Sequence, residues 1–124
     1  MIEVPFLVDT GASWTTLHLT DLLKLGDALG GLMTTPSPIP LRGVGGSTVR
    51  PYAMRVGLAF PHVNGGFSRF AMSVAMLPDQ AGWGTPSLLG MDVLRHGALT
   101  IDATREIVQF DPPTDAAITI DPPW

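Results

Sequence analysis

Phe6-Leu7-Val8-Asp9-Thr10-Gly11-Ala12-Ser13 decides how this chain is read. Three apolar residues read as a strand, and Asp9 ends it by entering a glycine turn, a position that leaves a carboxylate partly desolvated. Taken alone, Asp-Thr-Gly is a weak signal, because an Asx turn closing a strand accounts for it equally well. A second stretch bears on it: Leu88-Leu89-Gly90-Met91-Asp92-Val93-Leu94, an apolar run that passes through a glycine into a helical turn ended by Gly97. Between them, Leu41-Arg42-Gly43-Val44-Gly45-Gly46-Ser47-Thr48-Val49 places β-compatible arms around a glycine tip. Glycines permit the positive φ of tight hairpin turns and leave such a tip free to move.

Working outward, most of the chain reads as short strands. Residues 53–60 alternate, with Met54, Val56, Leu58 and Phe60 on one face. After Asn64-Gly65, the pattern resumes with Phe70, Met72, Val74 and Met76. Asn-Gly between alternating runs predicts a hairpin. Residues 98–101 and 107–110 read as a further strand pair. Residues 18–26 read as a short helix, with Thr20 as its cap and Gly26 at its end. The tail holds two Pro-Pro pairs around a single strand-like piece, Ala117-Ile118-Thr119-Ile120. Two roles are open for that piece: pairing near a two-fold interface, or covering an edge of its own sheet.

Composition narrows the classes. The chain has 124 residues, 14 Gly, 12 Pro and no Cys, which excludes disulfide scaffolds, thiolate metal sites and cysteine nucleophiles. Seven Lys+Arg against eleven Asp+Glu give a net charge of −4, unsuited to nucleic acid or an anionic membrane. No apolar run approaches the ~20 residues of a membrane span. Met1-Ile2-Glu3 opens no signal-peptide pattern, which leaves the compartment unassigned with the cytoplasm favoured. The length predicts one domain, residues 1–124, with its core in residues 2–110 and a Pro-rich tail as a candidate interface strand.

The combination of Asp-Thr-Gly-Ala-Ser after an apolar strand, a glycine-tipped hairpin and Leu-Leu-Gly-Met-Asp resembles the retropepsin-like aspartic proteases, in particular single-domain cellular and bacterial members. The resemblance covers roughly residues 6–110. It implies a mostly β fold, a small closed barrel-like domain with a flap hairpin and one or two short helices. It implies that Asp9 is the catalytic carboxylate, and that Thr10 orients the loop by bonding across to the partner's loop. The Gly11 amide would help hold the carboxylate, with Ala12 and Ser13 completing the loop. Gly43, Val44, Gly45 and Gly46 would form the flap over substrate. Leu88, Leu89 and Gly90 would pack beneath the catalytic loop, with Asp92 opening the helix.

Stoichiometry adds an argument that needs no family. Hydrolysing a peptide with carboxylates alone takes two of them sharing one proton. One Asp-Thr-Gly and 124 residues supply only one, so the dyad requires a homodimer with Asp9 of each chain on a two-fold axis. The function expected is an aspartic endopeptidase acting on a peptide or protein substrate, with no cofactor and no metal. The alternative is a non-catalytic binding or dimerisation module, with an N-terminally truncated fragment of a larger protein as one form of it. It draws on the eight residues that precede Asp9, where the family has a further strand.

The chain also departs from the viral pattern. Met91 stands where viral members carry an arginine, and Ser13-Trp14 where they carry acidic residues. Hydrogen bonding from Ser13 to Asp92 is expected in place of the viral ion pair. Arg42 and Ser47 flank the flap tip, so no cleavage preference follows. His18, His62 and His96 share no ligand spacing and read as surface or satisfied groups. Ser13 and Ser47 lack a nucleophile elbow, and residues 43–48 lack the lysine of a phosphate loop. Trp14, Trp83 and Trp124 read as core anchors or partner contacts, with core the default.

Overall fold

The computed structural model describes residues 3–18, 21, 23–24, 41–42, 48–49, 52–62, 65–77, 86–113 and 117–121. The elements run β1 (Phe6–Val8), β2 (Thr16–His18), β3 (Leu41–Arg42), β4 (Thr48–Val49), β5 (Tyr52–Pro61), β6 (Phe67–Leu77), β7 (Ser87–Leu89), α1 (Met91–Leu94), β8 (Ala98–Asp102), β9 (Ile107–Asp111) and β10 (Ala117–Thr119). The protein is mostly β. Among the described residues no helix is long and apolar enough to cross a membrane.

The ribbon β5–β6 follows directly from the alternating pattern. Its antiparallel register pairs Met54 with Val74, Val56 with Met72 and Leu58 with Phe70, so opposed apolar residues share a face. Phe70, Met72, Val74 and Met76 are fully buried. Removing each such side chain from water contributes about 1.5–3 kcal/mol. The turn between the strands closes with Gly65 N–H donating to His62 O at 3.0 Å and His62 N–H to Gly66 O at 3.1 Å. Gly65 and Gly66 both have positive φ, which is why glycine stands there.

The main sheet has the strand order β1-β7-β2-β6-β10, with β5 along the opposite edge of β6. The described strands therefore form an open path and do not close into a barrel. β2 and β10 share one edge of β6, pairing in parallel with residues 75–77 and 69–71. Of the two roles open for the tail strand, β10 thus takes the second: it covers an edge of its own sheet and turns Ile118 and Ile120 toward the core. β3 pairs β4 antiparallel, as expected of the hairpin arms, while the tip, residues 43–47, lies outside the described residues. β8 pairs β9 in a separate two-stranded sheet, as expected.

The open path corrects the expected closed barrel, because β1 and β10 end the order without pairing to each other, and a second expectation is corrected as well. His18 belongs to β2, not to the start of a helix, and most of residues 19–26 lies outside the described residues. The physical reason is pairing: His18 meets Leu77 of β6 and is drawn into the ladder, while Asp21, Leu23 and Lys24, the described residues beyond it, have helical backbone as expected. Trp14 is buried, as read; Trp83 and Trp124 lie outside the described residues.

Candidate functional site

β1 delivers Asp9 to the corner of the sheet. Its parallel register places Val8 beside Leu89, and Asp9 N–H continues the ladder to Leu89 O at 3.1 Å. Val4, Phe6 and Val8 turn toward the core while Leu7 faces water, so the strand is anchored on one face only. The turn then folds back on Asp9. Ala12 N–H donates to Asp9 O at 3.1 Å, and Gly11 N–H donates to the carboxylate Oδ1 at 2.9 Å. A Cβ on Gly11 would stand 3.2 Å from that oxygen, so glycine lets the amide approach the carboxylate unobstructed. Asp9 is half-buried, while Thr10, Gly11 and Ser13 are exposed on the loop.

The segment beneath the loop holds it from below. Met91 N–H donates to Ala12 O at 2.8 Å, tying the first residue of α1 to the turn. Gly90 lies against the chain itself: a Cβ there would meet Trp14 C at 2.5 Å and Thr15 N at 2.9 Å. Its backbone is ordinary and extended, so the requirement for glycine is close approach and not conformation.

Asp92 is the buried polar centre of this corner. The expected partner was Ser13; the partner found is Thr15. Thr15 N–H lies 3.1 and 3.0 Å from the two Asp92 oxygens, and Thr15 Oγ1 donates to Oδ1 at 2.7 Å. Val93 N–H donates to the same oxygen at 2.9 Å, and Gly90 N–H donates to Thr15 Oγ1 at 3.1 Å. Ser13 is solvent-exposed and Thr15 fully buried, so burial selects the threonine two residues further on. Thr15 is the site-supporting residue that the sequence reading missed. The available signal was Asp92 itself, a carboxylate inside an apolar run that needs a buried donor. Met91 packs half-buried against the core.

A second buried polar group lies behind β7. Ser87 Oγ accepts from His18 N–H at 3.1 Å and donates to Asp21 Oδ2 at 2.6 Å; Lys24 Nζ meets Asp21 Oδ1 at 2.9 Å. Burial pushes Asp21 up, but the Ser87 hydroxyl and the Lys24 ammonium outweigh it and hold the carboxyl below its usual range. Among the described residues neither nitrogen of the buried His18 ring finds a hydrogen-bond partner, which corrects the expectation for this histidine; His62 meets it, with Nε2 2.7 Å from Ser68 Oγ. Burial lowers its pKa, opposed in part by the charge of Asp21. Serine, histidine and aspartate meet here, but only the histidine backbone reaches Ser87. Ser87, His18 and Asp21 are buried, and with no bond from the imidazole to the serine they do not form a nucleophilic triad.

The structure therefore brings together Asp9, Gly11, Ala12, Leu89, Gly90 and Asp92 as one corner. Leu88 lies in β7 opposite Leu7 and Thr16. Gly43 to Gly46, expected as a flap tip, lie outside the described residues. In comparisons with known proteins, no family model, no curated protein and no solved structure matches the chain.

Proposed function

We propose that the protein is a retropepsin-like aspartic endopeptidase that works as a homodimer. The observation that carries this reading is Asp9 itself: a half-buried carboxylate at the end of an apolar strand, its Oδ1 held by the Gly11 amide, in a loop tied from beneath to Leu89 and Met91. A simple Asx turn needs no such under-structure. The arrangement fixes the position of one carboxylate oxygen and leaves the other available to a reacting group.

In the reaction, Asp9 and Asp9 of the partner subunit share one proton. The ionised carboxylate takes a proton from water as its oxygen attacks the peptide carbonyl carbon, and the protonated carboxyl gives its proton to the carbonyl oxygen. The resulting tetrahedral diol collapses: the C–N bond breaks as the amine nitrogen takes the proton of one carboxyl, and the other, ionised carboxylate takes a proton from a diol hydroxyl, which becomes the carbonyl of the acid product, so the dyad again shares one proton. The β3–β4 arms, carrying the glycine tip, would close over an extended substrate.

The experiment is Asp9→Asn, assayed on an unstructured protein substrate. The amide is nearly isosteric and cannot act as a base, so hydrolysis should vanish while the melting temperature stays at or above that of the parent. Cleavage at the parent rate would refute the assignment.

A further inference from the structure

The tail is fastened to β6 at two separate places. At the first, Ser68, fully buried in β6, gives its hydroxyl proton to Pro113 O. A hydroxyl has one proton to give, so the His62 Nε2 at 2.7 Å is the donor to Ser68 Oγ, and the bonds run from His62 through Ser68 to Pro113. At the second, the ladder is three residues long, Ala117 to Thr119 beside Arg69 to Ala71, and Ile120 N–H closes it on Ala71 O at 2.9 Å. Ile118 and Ile120 turn inward half-buried, while Ala117, Thr119 and Asp121 face water. Pro112-Pro113 and Pro122-Pro123 bound the segment in the sequence, and proline has no ladder donor with which to extend it.

The ribbon beneath is complete without the tail. β6 pairs β5 from Phe67 to Met76 and β2 from Ala75 to Leu77, and neither ladder uses β10. A short parallel strand between prolines, laid on a ribbon that has its own partners, is a unit that opens before the fold does. Its departure leaves the backbone groups of residues 69–71 unpaired on one side and the Ser68 hydroxyl without its acceptor, beside the apolar seats of Ile118 and Ile120. A free edge with seats for alternate side chains is how sheets recognise an extended peptide.

We infer that the edge of β6 at residues 68–71 is a peptide-binding site whose resident occupant is the chain's own tail. Residues 113–121 detach as a strap while the rest stays folded. The edge then accepts an extended segment in parallel, with apolar side chains at two positions two apart and a backbone carbonyl for Ser68. The site owes nothing to the role of Asp9.

Native-state hydrogen exchange of the full chain reads the opening directly. The Ile120 amide should exchange at least about 100-fold faster than the amides of the β5–β6 ladder and keep its rate in low urea, as a local opening does. Exchange of Ile120 at the ladder's rate, with the ladder's urea dependence, would make the tail part of one cooperative unit and overturn the inference. Binding is read on the full chain carrying Ile118→Asp, which puts a charge into an apolar seat and so releases the tail, with circular dichroism to verify the fold. A fluorescein-labelled peptide of residues 112–121 should bind this variant with a dissociation constant of about 100 micromolar, and the parent about 100-fold more weakly, because the attached tail competes at millimolar effective concentration. The same peptide carrying Ile118→Asp should not bind. A folded variant that ignores the parent peptide overturns the site, as does a parent that binds it as tightly as the variant. If Ile118→Asp does not fold, the exchange measurement on the parent decides alone.

Discussion

The β5–β6 ribbon and the corner where the Asp9 loop meets α1 are both buried, but different forces hold them. The ribbon is closed by Phe70, Met72, Val74 and Met76 against Met54 and its neighbours, contacts that depend on volume and on the side of the sheet faced. The corner is closed by a few directed bonds, Thr15 to Asp92, Gly90 to Thr15, Met91 to Ala12, in which each atom has a specific partner. Apolar packing degrades gradually when side chains of similar size are exchanged, whereas a buried polar group left unpaired loses its full solvation. The site is thus built where replacement is least tolerated, and the bulk of the fold where it is most tolerated.

The largest break in this contrast should come from Gly90→Ala. Its Cβ would stand 2.5 Å from backbone carbon of Trp14, which no side-chain rotation relieves. A loss of about 3 kcal/mol or more in urea unfolding is expected. Gly57→Ala in β5 has nothing within 4 Å of the new Cβ and should be near neutral.

Next come two conservative exchanges. Asp92→Asn keeps the shape but turns an acceptor of Thr15 and Val93 donors into a partial donor, and should cost about 2 kcal/mol. Met72→Leu in the ribbon should cost about 1 kcal/mol or less. Equal losses would mean that the corner is packed as the ribbon is.

The smallest effect concerns pH. His18 is buried with both ring nitrogens unpaired among the described residues, and its pKa lies below the ordinary 6.5. The unfolded chain therefore takes up a proton that the folded one resists, so stability falls as pH drops below about 6.5. Asp21, lowered by Ser87 and Lys24 against its burial, loses its contribution only further into acid, below 3.8. Melting temperatures between pH 7 and 5 should decline in the parent and decline less in His18→Gln, whatever that variant's absolute stability. Parallel slopes would remove His18 as the source.

The ribbon was legible in the sequence because period-two alternation over ten or so residues states both the strand and its inner face. The strand Phe6–Val8, the turn at Asp9 and the passage from Leu89 through Gly90 into a helical turn were legible for a similar reason, since each sits at a change of local pattern. Three features were not. Thr16 is drawn into a strand by neighbours far away in the sequence. Ser13 and Thr15 offer the same hydroxyl chemistry, and only burial distinguishes which one reaches Asp92. The register of Ala117–Thr119 on β6 is set by which edge of the sheet remains open, a property of the assembled fold. Local sequence states what a segment prefers; pairing between distant segments decides what it gets.

The central claim is that two chains each contribute Asp9 to one site. Mixing parent with Asp9→Asn at constant total protein, after subunit exchange, tests it most directly. If the dyad is shared, activity follows the square of the parent fraction, so an equal mixture retains about a quarter of the parent rate. A linear dependence, with half the rate retained, would mean that each chain carries its own complete site and would contradict the account.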